Sequence, residues 1–117
     1  MCRDREVGLL VALLPTKEDA DAVIDAEHIA ELAGLLDLSV EDMGINQRLT
    51  ALLDTALRKV GVKVLDLQAP LKAITDRRLY WIKDHHLNVD GHAAVAESLE
   101  APVRELLEER QRALNAR

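Results

Sequence analysis

The feature that most constrains the fold is an uninterrupted apolar run at residues 7–14, which is closed by Pro15. The run is far shorter than the about 20 residues that a membrane-spanning helix needs. A short run of this purity is typical of a strand that is covered on both faces in a parallel sheet. The run therefore predicts a soluble α/β domain in which helices pack against a parallel sheet.

The remaining hydrophobic patterns complete this prediction. Residues 62–67 are short and β-branched and predict a second strand, which is followed by a short helix over residues 69–77. A helix capped by Asn46 and ended by Gly61 is predicted from an apolar stripe with spacings of three and four, formed by Ile45, Leu49, Leu52, Leu53, Ala56, Leu57 and Val60. From Val89 onward the pattern predicts a long final helix, kinked or restarted at Pro102.

Two strands are too few for a complete doubly wound sheet. A strand as apolar as residues 7–14 needs neighbours on its edges. The sequence is therefore expected to be part of one domain, with Met1 close to a core strand. Either a missing N-terminal segment or a second chain is expected to complete the sheet.

Composition excludes several classes of function. The chain has 117 residues and a net charge of −6, with 15 basic and 21 acidic side chains and no basic block, which argues against nucleic-acid binding. The single Cys2 excludes an internal disulfide and a thiolate metal cluster. No signal peptide is recognisable ahead of the apolar run. The compartment of the parent protein stays open, cell envelope or periplasm included.

Three of the four histidines lie in residues 84–92, which form the most chemically loaded stretch of the sequence. Asp84 and His86 are two apart, so on extended backbone their side chains leave the same face and could form an acid–base pair. In a metal-binding alternative, ligands would come from His85, His86, His92 and Asp84, although no recognised ligand spacing is present.

A purely structural alternative applies to the same stretch. Asn88 would cap the final helix, Gly91 would allow close packing and the histidines would lie on the surface. This interpretation is favoured for Asn88 and Gly91. Tyr80 and Trp81 precede the stretch, and packing beneath the final helix is favoured for them over lining a substrate pocket.

The stretch Asp84-His85-His86-Leu87-Asn88-Val89-Asp90-Gly91-His92, followed by Ala93, Val95 and Ala96, resembles the last conserved block of the SGNH (GDSL-type) hydrolases. Its Asp-x-His form is most similar to the alginate-acetylation-like branch and to the related Asp-His-His-Trp proteins, with Leu87 in place of the tryptophan. The upstream order of strand, helices and strand is also similar to the last third to half of such domains.

The resemblance implies that residues 1–117 form the C-terminal portion of a three-layer α/β/α sandwich, flavodoxin-like in layout, with few parallel strands and dominant helices. It implies that Asp84 orients His86, that His86 activates a serine, and that His85 is the alternative base. The complete domain would hydrolyse or transfer an ester group, such as an acetyl group on a carbohydrate. No metal or organic cofactor is implied.

The nucleophile block of this family is missing. The family places a Gly-Asp-Ser-type block near the N-terminus of its domain and the oxyanion-hole Gly and Asn after it, and the only serines here are Ser39 and Ser98, in other contexts. Because losing a triad member costs on the order of a million-fold in rate, the isolated chain is expected to be nearly inert. The alternative function is a non-catalytic α/β module that pairs with another chain.

Overall fold

A computed structural model describes residues 7–20 and 26–116. In chain order the elements are β1 (Leu10–Leu13), α1 (Lys17–Ala20), α2 (Ala26–Leu35), a 3-10 helix (Asp42–Gly44), α3 (Ile45–Lys59), β2 (Lys63–Asp66), α4 (Gln68–Lys72) and α5 (Val89–Asn115). Among these residues, no helix is both long and apolar enough to cross a membrane.

β1 and β2 form a parallel two-stranded sheet, and the mixed α/β class predicted from the sequence is confirmed. Leu10 lies opposite Lys63 and Leu13 lies opposite Asp66. The ladder continues for one bond beyond the strands, because the Leu67 amide donates to the Leu13 carbonyl at 3.0 Å. The helical crossover between the strands lets them run in the same direction.

The strand at residues 7–14 is shorter and more exposed than predicted. β1 covers only Leu10–Leu13, and Val7, Leu9 and Leu14 each leave about half of their surface in solvent. The prediction of a strand covered on both faces is therefore wrong for this structure. The physical reason is that β1 has one strand neighbour among the described residues, β2, and contacts α5 only sparsely.

The buried core is small. Its connected cluster consists of Ala20, Leu67, Leu71, Leu79, Tyr80 and Ala94, which come from α1, the start of α4, the segment before α5, and α5 itself. Leu13, Ala33 and Val64 are buried outside this cluster. α3 has no buried residue, and its predicted apolar stripe is exposed at Ile45, Leu49, Leu52 and Leu53. The radius of gyration is 17.5 Å, against about 13 Å for a compact domain of this length.

Several predicted boundaries differ from the structure. Asn46 is not an N-cap, because the 3-10 helix runs directly into α3 and places Gly44 at that position. α4 ends at Lys72, five residues before the predicted end at residue 77. α5 is continuous through Pro102 instead of restarting there. Gly61 has a φ of 77° after α3, as its predicted role at the helix end requires.

Thr16, which stands three residues before Asp19, predicts the start of a helix through Ala20, Val23 and Ile24, and the structure describes this helix only in part. α1 begins at Lys17, and the Thr16 hydroxyl donates to the Asp19 carboxylate at 2.9 Å. Its predicted continuation to Val23 and Ile24 lies outside the described residues.

Candidate functional site

The candidate site stands on a short hairpin, residues 79–88, here called the site hairpin. The sequence pattern predicts an irregular segment here, without a helix or a strand. Tyr80 and Leu87 form an antiparallel bridge, the Trp81 amide donates to the His86 carbonyl at 3.0 Å, and the Asn88 amide donates to the Leu79 carbonyl at 2.9 Å. Because side chains alternate across a hairpin, cross-strand partners share a face.

This alternation separates two aromatic residues that the sequence places side by side. Tyr80 and its partner Leu87 face the core, and Tyr80 is only 2% exposed. Trp81 and its partner His86 are on the other face, where Trp81 is 53% exposed. The predicted packing beneath the final helix is right for Tyr80 and wrong for Trp81, because the pleat turns the indole outward.

Asp84 and His86 are brought together by a turn. The backbone at residues 82–86 is bent and not extended, so the predicted geometry was wrong although the two side chains do meet. Asp84 Oδ1 accepts the His86 backbone N–H at 2.7 Å and also lies within hydrogen-bond distance of His86 Nδ1. A carboxylate that bonds the amide two residues later forms an Asx turn. One oxygen thereby fixes both the loop and the imidazole.

The hydrogen bonds of Asp84 stabilise its ionised carboxylate. The His86 amide, and after it the His86 ring, hold the pKa of the Asp84 carboxyl below its ordinary value of 3.8. Since an ionised carboxylate only accepts, Nδ1 of His86 donates, which leaves Nε2 with its lone pair in the neutral ring. The His86 side chain is 86% exposed, and Nε2 has no hydrogen-bond partner among the described residues. Nε2 is therefore accessible from solvent.

His85, the alternative base of the sequence analysis, is directed to another carboxylate. Its Nδ1 lies 3.3 Å from Glu18 Oε1 at the start of α1, and its side chain is exposed. His92 is exposed on α5. Within residues 7–20 and 26–116, no group of three or more His, Cys, Asp or Glu side chains is placed to hold a metal ion. The metal-binding alternative therefore has no geometric support in this part of the chain.

The site hairpin is anchored on the carboxyl end of β1. The buried Lys17 ammonium, with the residue 7% exposed, donates to the carbonyls of Trp81 at 2.9 Å and Ile82 at 2.8 Å. The Tyr80 hydroxyl donates to the Pro15 carbonyl at 2.7 Å. Lys17 is not among the site residues predicted from the sequence. Its one available signal was position, because it lies three residues after the strand that the apolar run predicted.

The start of α5 closes the other end of the hairpin, as predicted for Asn88 and Gly91. Asn88 Oδ1 accepts the Gly91 N–H at 2.9 Å, and its Nδ2 donates to the Arg78 carbonyl at 2.8 Å. A Cβ on Gly91 would lie 2.1 Å from the Leu79 carbonyl oxygen. Only glycine therefore permits this close approach of helix and hairpin.

Both serines of the chain are engaged in local structure elsewhere. Ser39 Oγ donates to Asp42 Oδ2 at 2.7 Å and accepts the Asp42 amide at 3.1 Å at the start of the 3-10 helix. Ser98 Oγ donates to the Ala94 carbonyl at 2.8 Å within α5. Neither hydroxyl is hydrogen-bonded to His86. The described residues thus hold a carboxylate–imidazole pair without a serine beside it.

Comparisons with known protein families, with curated proteins and with solved structures find no match to this chain.

Proposed function

We propose that this chain carries the Asp–His part of a Ser-His-Asp triad of the SGNH type. The single observation that carries the proposal is the hydrogen bond between Asp84 and Nδ1 of His86, with the imidazole open to solvent. In a triad the carboxylate fixes the tautomer and stabilises the imidazolium that forms during the reaction. The resemblance of residues 84–92 to the last SGNH block supports the same assignment of roles.

The proposed reaction is acyl transfer through an acyl-enzyme. His86 Nε2 takes the proton of a serine hydroxyl as the serine oxygen attacks the ester carbonyl. The tetrahedral intermediate collapses, the alcohol leaves with the proton that His86 held, and the acyl group stays on the serine. Water or a sugar hydroxyl then gives its proton to His86 as its oxygen attacks the acyl-enzyme, and the serine leaves with that proton as the second tetrahedral intermediate collapses. Asp84 stays ionised throughout.

The proposal assigns the serine and the oxyanion-hole donors to a polypeptide segment other than these 117 residues. The exposure of His86 agrees with this assignment, because the nucleophile must approach Nε2 from outside the described chain. A base without its nucleophile leaves almost none of the rate enhancement of a triad. The isolated chain should therefore show no ester hydrolysis that depends on His86.

The test uses the native protein in its source. The extract is treated with a fluorophosphonate probe, which phosphonylates activated serines, and is then captured with an antibody to residues 84–92. The proposal expects a labelled species above the 13.0 kDa of this chain, or a labelled partner captured with it. An unlabelled species of 13.0 kDa, captured alone, would overturn it.

Variants introduced at the native locus assign the roles, and they are captured with an antibody to residues 105–116 because both substitutions lie within residues 84–92. His86→Ala should abolish labelling while leaving the thermal unfolding of the purified chain unchanged, since the imidazole packs against little. His92→Ala removes another exposed imidazole from the same stretch and should leave labelling intact. Labelling that survives His86→Ala would refute the assigned base, and a large loss of stability would identify His86 as a structural residue.

A second candidate function is a non-catalytic module that pairs with another chain. It is favoured by the exposure of β1 and of the α3 stripe, and by a radius of gyration larger than that of a compact domain. Native mass spectrometry of the captured species tests it. A stable complex that contains this chain, that carries no fluorophosphonate label and that is weakened by Leu9→Lys would support pairing without catalysis.

A further inference from the structure

We infer that Lys17 is a positioning residue of the Asp84–His86 pair, acting through the two backbone carbonyls that its buried ammonium holds. The inference deepens the proposed function and rests on it for any catalytic consequence. The geometric part stands on the contacts of Lys17 alone.

Lys17 is buried, which is costly for an ammonium group unless its donors are satisfied. The donors are directed at the carbonyls of Trp81 and Ile82, at 2.9 and 2.8 Å. Hydrogen bonds from a charged donor are stronger than those between neutral groups. The first half of the turn is therefore fixed to the carboxyl end of β1, although 64 residues of sequence separate Lys17 from Trp81.

Trp81, one of the two residues bound by Lys17, is also hydrogen-bonded to both members of the Asp84–His86 pair. The Trp81 carbonyl accepts a hydrogen bond from the Lys17 ammonium and a second one from the Asp84 amide, at 3.4 Å. The Trp81 amide donates to the His86 carbonyl at 3.0 Å. Asp84 and His86 are thus each hydrogen-bonded to Trp81, whose carbonyl accepts from the Lys17 ammonium. Without the ammonium, two carbonyls would lose a charged donor and the turn would gain freedom to move away from α1.

The first experiment measures the pair directly in the purified chain by NMR. Readouts are the exchange rate of the His86 amide and the pH midpoint of the Asp84 carboxyl carbon. In Lys17→Met, we expect His86 amide exchange to accelerate by about tenfold, the size expected for losing hydrogen bonds from a charged donor. We expect the Asp84 midpoint to rise toward its ordinary value, because the hydrogen bonds that lower it are populated less.

Matched variants separate positioning from charge and from folding. Lys83→Met removes an exposed lysine next to Asp84 and should leave both readouts unchanged, which controls for the lost positive charge. Lys17→Arg keeps the charge and several donors, and should restore both readouts most of the way. If Lys17→Met folds and neither readout moves, or if Lys83→Met moves them equally, the inference is wrong.

A measurement on the unmodified chain covers the case in which Lys17→Met fails to fold. Scalar couplings across hydrogen bonds, from the Lys17 ¹⁵Nζ to the carbonyl carbons of Trp81 and Ile82, are expected, and their absence would overturn the inference. All of these readouts are independent of turnover. If the native protein is not labelled by the fluorophosphonate probe but the expected NMR changes occur, only the proposed function is refuted. If the native protein is labelled but the NMR readouts do not change, only the role of Lys17 is refuted.

Discussion

Leu71, beneath the site hairpin, is fully buried, whereas Leu52 on α3 leaves about two thirds of its surface in solvent. The two leucines represent two regions of the molecule. At the hairpin end, α1, α4 and the start of α5 enclose a small core. At the α3 end, a helix with an apolar stripe of ordinary spacing buries none of its residues.

The two regions differ in how their polar and apolar groups are satisfied. The hairpin end satisfies its polar groups internally, through Lys17, Tyr80 and Asn88. The α3 end has the amphipathic pattern of a helix that packs against a protein surface, without such a surface on that side among the described residues. A defined geometry for Asp84 and His86 and an exposed apolar stripe on α3 thus occur in one chain.

Truncating the two leucines gives the largest expected contrast. Leu71→Ala removes a fully buried side chain from a small core and should lower the free energy of unfolding by about 3 kcal/mol. Leu52→Ala should change it by less than about 0.5 kcal/mol, because its side chain is already in water. Urea denaturation of the two variants measures both. A loss above about 1 kcal/mol for Leu52→Ala would mean that the α3 stripe is covered in solution.

Adding a methyl group at one glycine of the hairpin end and at one glycine outside it tests by overpacking how tightly the hairpin end is packed. Gly91→Ala places a Cβ against the Leu79 carbonyl and should cost about 2–3 kcal/mol, since backbone cannot yield as a side chain can. Gly34→Ala in α2 has nothing within 4 Å and should gain up to about 1 kcal/mol through helix propensity. Thermal unfolding distinguishes these opposite signs. Equal effects would refute the close contact between α5 and the hairpin.

Two adjacent aromatic residues on the hairpin allow the same comparison between a buried and an exposed side chain. Tyr80→Phe leaves the Pro15 carbonyl without its buried donor and should cost about 1–2 kcal/mol. Trp81→Phe, on the solvent face, should stay within about 0.5 kcal/mol of the parent. Chemical denaturation followed by circular dichroism suits both variants. If the order is reversed, the hairpin register is wrong.

The features that could be predicted from the sequence are those encoded in local patterns. β2 and α5 follow from apolar spacing, and Asn88 and Gly91 follow from the chemistry of a helix start. The proximity of Asp84 and His86 was also predictable from a two-residue spacing, although a turn and not a strand brings them together.

The features that escaped prediction depend on contacts between distant parts of the chain. Lys17 binds carbonyls 64 and 65 residues away, and no local pattern marks a lysine for burial. The burial of Tyr80 and the exposure of Trp81 depend on the register of the hairpin, which the turn residues do not predict. The α3 stripe correctly predicts a helix, but periodicity alone cannot show whether another surface covers it.

The smallest expected effect is the acid dependence of Asp84. Its folded pKa is lowered mainly by the His86 amide, so the unfolded chain takes up a proton at higher pH than the folded one. The resulting stabilisation is complete above the unfolded pKa and is lost as pH falls below about 4 and through the folded pKa. Comparing urea unfolding at pH 6 and pH 3 should therefore show a smaller acid-induced loss in Asp84→Asn than in the parent chain.

Asp42, in the 3-10 helix before α3, provides a matched carboxylate outside the site hairpin. Its pKa is also lowered, mainly by the side-chain hydrogen bond from Ser39, so Asp42→Asn should reduce the acid-induced loss in the same direction. The two variants separate in the NMR signals of the His86 ring. Those signals should shift in Asp84→Asn, which replaces the acceptor at Nδ1, and stay in place in Asp42→Asn. An unchanged His86 ring in Asp84→Asn would mean that the pair does not form in solution, whatever the acid dependence shows.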